Sequence, residues 1–62
     1  MNNTSDAYDS LADGYEANGD LAMALEMREK ALAMSYEENV ENGAFKTRLA
    51  NLRQKIAERR GD

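Results

Sequence analysis

Tyr8, Leu11, Ala12 and Tyr15 stand at i, i+3, i+4 and i+7, and Ala24 and Ala31 follow seven residues apart. A large-small-large stripe at helical spacing, answered by a stripe of small residues, calls for two helices packed closely as an antiparallel pair. Nothing in the chain opposes that reading. Proline is absent, the four glycines are Gly14, Gly19, Gly43 and Gly61, and no stretch alternates with period two. The fold class predicted is all-α.

The first helix is expected over residues 5–17. Thr4 or Ser5 offers a hydroxyl to a free N–H of the first turn, and Asp6 and Asp9 lie near the positive end of the helix dipole. Tyr8, Leu11, Ala12 and Tyr15 form its expected buried stripe. Gly14 costs about 1 kcal/mol against alanine inside a helix, which suggests close approach of a neighbour. Asn18 and Gly19 end the helix, since both residue types tolerate a left-handed cap.

Asp20 is the expected N-cap of a second helix over residues 20–34. Its core face is Leu21, Ala24, Leu25, Arg28, Ala31 and Leu32. Met23, Met27 and Met34 form an adjacent face, and Glu26–Lys30 is a favourable i, i+4 pair. Residues 35–39 read as a connection, with Ser35 as a cap. A third helix follows over residues 37–59. Phe45, Leu49, Leu52 and Ile56 form its stripe, extended backwards by Val40, with heptad-like spacing that allows a short coiled-coil seam. Gly43 loosens its first turns, and Arg59, Arg60 and Gly61 suit its C-terminus.

Over residues 5–36 the pattern resembles the tetratricopeptide repeat, whose signature over about 34 residues runs Trp-x2-Leu-Gly-x2-Tyr and then Ala-x3-Phe. Tyr8, Leu11, Ala12, Tyr15, Gly19, Ala24 and Ala31 fall at the expected spacings. Arg28 stands where the family prefers a large aromatic, and Tyr36 where a proline often closes the repeat. The expectation for Arg28 is an aliphatic stem over the core with its head in water. The third helix is similar both to the first helix of a next repeat and to the terminal solvating helix of such arrays. The resemblance implies one domain over residues 1–62, a repeat-like antiparallel hairpin plus a capping helix. It also implies protein binding without chemistry. In this family the first helix lines the concave surface, which here would present Asp6, Asp9, Asp13, Glu16 and Ala17. That surface lacks the Lys, Arg and Asn used to hold a peptide carboxylate, so a basic or neutral segment fits it better.

Size and composition narrow the function further. A chain of 62 residues buries only about 60% of the surface its unfolded form exposes. With no cysteine and no histidine, neither disulfides nor zinc are expected to compensate. Asp9, Asp13 and Glu16 share a helical face, but no loop folds back to complete a hard-cation site, so a solvated acidic face is the expectation. No deep water-excluding pocket is expected either. The chain is therefore read as a non-enzyme without metal or cofactor. The longest apolar run, residues 21–25, is far too short to span a membrane. The absence of a secretory signal makes a cytoplasmic location the expectation.

Charge is divided along the chain. Residues 1–43 carry ten acidic side chains against Arg28 and Lys30, whereas residues 44–62 carry six basic ones against Glu58 and Asp62. Opposed halves can attract within one chain or between chains. The basic stretch lacks interleaved aromatics in a chain of net charge −4, so nucleic acid is not the expected partner. The expected function is a non-catalytic protein-interaction module. Its partner would be its own copy, as a homodimer, or another helical or basic segment. The partner-binding residues expected are Asp6, Asp9, Asp13, Glu16, Met23, Met27, Phe45, Leu49, Leu52 and Ile56. An alternative follows from similarity to the terminal repeat appended to larger bacterial enzymes, including serine-hydrolase-like proteins: residues 1–62 would then be a C-terminal structural appendage excised from such an enzyme, with the catalytic residues elsewhere. An engineered mini-repeat ranks below both.

Overall fold

A computed structural model describes residues 4–60 as three α-helices. They are α1 (Thr4–Ala17), α2 (Leu21–Glu38) and α3 (Gly43–Arg60), with no strand among the described residues. Helices α1 and α2 form an antiparallel hairpin, and α3 turns back to pack along α2. The expected all-α hairpin with a third helix is therefore present.

The first turn forms as its residue types dictate. Gly19 takes the left-handed conformation with φ 81°, which costs glycine little because it has no Cβ. The Asp20 side chain then accepts a hydrogen bond from the Met23 N–H at 3.4 Å. This is the expected N-cap of α2.

Helix α1 starts at Thr4, as expected, but the source of its cap and the boundary between α2 and α3 differ from expectation. Thr4 and Ser5 lie inside α1, and the cap comes from the far end of α2. Glu38 accepts from the Thr4 N–H at 2.8 Å, the Ser5 N–H at 3.2 Å and the Ser5 hydroxyl at 2.7 Å. A carboxylate held 33 residues away along the chain thus satisfies free donors at the positive end of α1. Helix α2 also runs four residues past the expected stop at Met34. Ser35 is a fully buried helical residue whose hydroxyl donates to the Leu32 carbonyl, not the cap of a third helix. The helix ends at Asn39, which adopts φ 57° and donates its N–H back to Ser35 and Tyr36. Accordingly α3 begins at Gly43 and not at residue 37. The Glu41 side chain accepts from the Gly43 N–H at 2.9 Å, and the Asn42 carbonyl starts the helical ladder by accepting from Lys46. The expectation for Gly61 lies outside the described residues.

The core is small and two-sided. Ser5, Ala12, Ala24, Ala31 and Ser35 are fully buried, and all are small. They let α1 and α2 approach closely. Met27, Phe45, Leu49 and Leu52 are the large buried apolar side chains, placed where α3 meets α2. Several residues expected in the core are only half-buried: Tyr8 and Tyr15 of α1, Leu21, Leu25 and Leu32 of α2, and Val40 and Ile56 of the third stripe. Leu11 departs further and is 50% exposed. The seam of α1 runs through Ser5 and Ala12, and Leu11 is rotated about 100° from Ala12 on the helix.

Candidate functional site

Where α1, α2 and α3 converge, six charged side chains meet. Arg28 of α2 is at the centre with only 6% of its side chain exposed. It donates to Asp9 at 3.0 Å, Asp13 at 2.8 Å and Glu16 at 2.9 Å. The spacing 9, 13, 16 puts the three carboxylates on one face of α1, one helical turn apart. A guanidinium presents enough donors in a rigid plane to serve them all. The expected snorkelling of Arg28 into water is thus overturned, because α1 supplies enough negative charge to bury the head. Among the described residues, Arg28 Nε is the buried side-chain atom without a hydrogen-bond partner.

Helix α3 closes the cluster. Arg48 bonds to the second oxygen of Asp9, and Lys55 to the second oxygen of Glu16 at 2.8 Å. Three positive and three negative groups therefore balance. The Lys55 ammonium first, and Arg28 second, hold the Glu16 carboxyl below its ordinary range. Burial works to depress Arg28, but hydrogen bonds to Asp13 and Glu16 outweigh it and raise its affinity for its proton. The Ser5 hydroxyl, followed by the backbone N–H groups of Ser5 and Thr4, likewise lowers the Glu38 carboxyl. The acidic first half and basic last part of the chain thus meet within one molecule. Two more exposed pairs, Arg53–Glu29 at 3.1 Å and Lys30–Glu26 at 3.4 Å, decorate the outer surface and contribute little.

This arrangement redistributes the residues expected to bind a partner. Met27, Phe45, Leu49 and Leu52 lie in the core. Asp9 and Glu16 are half-buried in the charge cluster, and Asp13 joins it from a largely exposed position. Asp6 is exposed, while Met23 and Ile56 are half-buried. Ile56 contributes with Leu21, Leu25 and the stems of Arg59 and Arg60 to an open apolar recess of about 320 Å³ at one end of the α2–α3 pair.

A different surface emerges on the far side of α1. Ala7, Ser10, Leu11, Gly14, Tyr15 and Asn18 line a shallow groove of about 600 Å³. None of the six is charged. Three of the four acidic residues of α1, Asp9, Asp13 and Glu16, bind Arg28 on the opposite half of the helix, and the fourth, Asp6, is exposed and does not line the groove. A methyl group placed on Gly14 would meet no neighbouring atom of the described residues within 4 Å. The close neighbour that the glycine suggested is therefore not supplied by the described residues. The signal for this face was in the sequence: positions 7, 10, 11 and 14 of α1, and Asn18 just past its end, are uncharged beside a helix face rich in carboxylates.

Among the described residues, no group of acidic, histidine or cysteine side chains is arranged to hold a metal ion. No helix among them is long and apolar enough to cross a membrane. No protein-family model, curated protein or solved structure matches this chain.

Proposed function

We propose that this chain is a non-catalytic protein-interaction module, of tetratricopeptide-repeat type, that works by pairing helical surfaces. The observation that carries this reading is the outer face of α1. It is a whole helical face without charge, holding a half-exposed leucine, a partly exposed tyrosine and an open glycine. Leaving such a face to water wastes apolar surface that a second helix would cover. Gly14 lowers the helix propensity of α1 and meets no close neighbour among the described residues, but it admits one from outside.

The charge cluster supports the same reading indirectly. Its six groups neutralise one another within the chain, which removes the acidic surface as a steering patch and leaves binding to apolar contact. A hydrolytic or acid–base role finds no support in carboxylates that are each committed to a cation.

Nuclear magnetic resonance shifts recorded across a concentration series test the proposal. The amides of Ala7, Leu11, Gly14 and Asn18 are expected to move with concentration while those of Phe45 and Leu52 stay still. A spectrum unchanged up to millimolar concentration removes the self-pairing form of the proposal. Shifts confined to α3 overturn the assignment to α1.

A further inference from the structure

Ala7, Leu11, Gly14 and Asn18 run down the middle of the uncharged face in steps of four, three and four residues. That spacing reads the same in both directions. Turned end over end, a second α1 would set Leu11 opposite Gly14 and Ala7 opposite Asn18, each pairing occurring twice about a two-fold axis. The largest side chain of the seam then meets the position with no side chain. We propose that two copies of this chain pair through α1, antiparallel, with each Leu11 seated over the partner's Gly14. This rests on the interaction-module reading above and names its partner.

Charge selects a second copy over another protein. A two-fold contact sets a patch against itself, so a face of one sign meets its own sign. Asp6, exposed on α1 and outside the balanced cluster, would repel its counterpart, as would the basic outer surface of α3. The uncharged half of α1 is free of that penalty. A partner of different sequence, steered by electrostatic complementarity, calls for a charged rim. This groove has none among its lining residues. Antiparallel pairing also sets the two helix dipoles in opposition, which is favourable. Tyr8 and Tyr15 flank the seam on one side and Ser10 and Ala17 on the other, again without charge.

The contact is short. The 14 residues of α1 span roughly 21 Å, less than is needed to bury the roughly 800 Å² per partner of a stable complex. Association is therefore expected in the micromolar-to-millimolar range, and occupancy depends on local concentration.

The natural absence of cysteine makes cross-linking a clean test. Ala7→Cys and Asn18→Cys are both exposed positions. Mixed under mild oxidation, the two variants should form a mixed disulfide dimer much faster than either forms one alone. An exposed control on α3, Ala50→Cys, should cross-link no faster than random collision allows. Rapid self-linking of Ala7→Cys indicates parallel pairing and overturns the proposal. So does a mixture that links no faster than the control. Gly14→Leu supplies the second arm: filling the hole should weaken association about tenfold or more, while circular dichroism shows an unlowered thermal midpoint. Unchanged association in that variant also overturns the seating of Leu11. If the chain still associates but the cross-links fail, this pairing falls and the interaction module stands. If nothing associates, the self-pairing reading falls with it.

Discussion

The two seams of this molecule are built on opposite principles. Between α1 and α2 every fully buried residue is small: Ser5, Ala12, Ala24, Ala31 and Ser35. Between α2 and α3 the burial belongs to Phe45, Leu49, Leu52 and Met27. Small residues fix the distance and register of two backbones but remove little apolar surface per side chain. Large ones remove much more surface and tolerate a looser approach. The first seam is accordingly fastened at its edges by polar groups. Arg28 gathers three carboxylates of α1, and Glu38 caps that helix from the end of its neighbour. The difference teaches that tight geometry and hydrophobic gain are supplied here by separate parts of one small fold.

Truncating the large-residue seam should do the most damage. Leu52→Ala is expected to lose about 3 kcal/mol. A domain this size holds only a few kcal/mol in total, so chemical denaturation should find the variant close to unfolded. If Leu52→Ala costs less than the other changes below, the division of labour is wrong. Overfilling the small-residue seam comes next. Ala31→Leu should lose about 2 kcal/mol by forcing α1 and α2 apart, whereas Ala50→Leu on the exposed side of α3 should be near neutral. Equal effects at the two positions would contradict the tight seam.

The polar fastening is weaker because most of its members touch water. Arg28→Met keeps the buried stem and removes the guanidinium, leaving three neighbouring carboxylates without their common cation. It should lose about 1.5 kcal/mol, and the loss should shrink when Asp9 is replaced by asparagine in the same chain. A gain in stability would show that the cluster is dispensable. Gly14→Ala has the opposite sign. The position is open, so alanine should add about 1 kcal/mol of helix stability, read as a raised thermal midpoint. A lowered midpoint would place a hidden neighbour against Gly14.

The smallest effect is on pH. Lys55 and Arg28 lower the Glu16 carboxyl from its ordinary value of 4.5, and Ser5 lowers Glu38 from the same value. A carboxylate depressed in the folded state adds stability that is present above the unfolded value. That contribution is lost as pH falls through the lower folded value. Thermal midpoints should therefore be flat near neutrality and decline below about pH 4.5. A midpoint that rises on acidification would contradict both contacts.

Much of this was legible in the sequence, and the failures are instructive. The stripe of small residues on the second helix, the Gly19–Asp20 turn and the stripe of Phe45, Leu49 and Leu52 announced three helices and their pairing. The second boundary was misread because Ser35 suits a helix cap in isolation. Its burial against a close neighbour, with its hydroxyl returned to Leu32, is a tertiary fact. Glu38 as the cap of α1 was invisible for the same reason, since its donors lie at the other end of the hairpin. Arginine alone at a core position usually escapes to water, so the sequence by itself points to a surface head for Arg28. Only the fold brings Asp9, Asp13 and Glu16 to meet it. The four-residue stripe points Leu11 at the core, whereas the actual seam is rotated toward Ser5. The candidate surface followed from that rotation: the same turn that buries Ser5 leaves Ala7, Leu11 and Gly14 outside.

Analytical ultracentrifugation of the unaltered chain, from micromolar to millimolar and across a range of salt, tests the account most directly. Pairing through the uncharged face of α1 predicts a weak monomer–dimer equilibrium that holds or strengthens as salt rises, because apolar contact is not screened. A strict monomer at the highest concentration would contradict it, and so would a dimer that dissolves in salt.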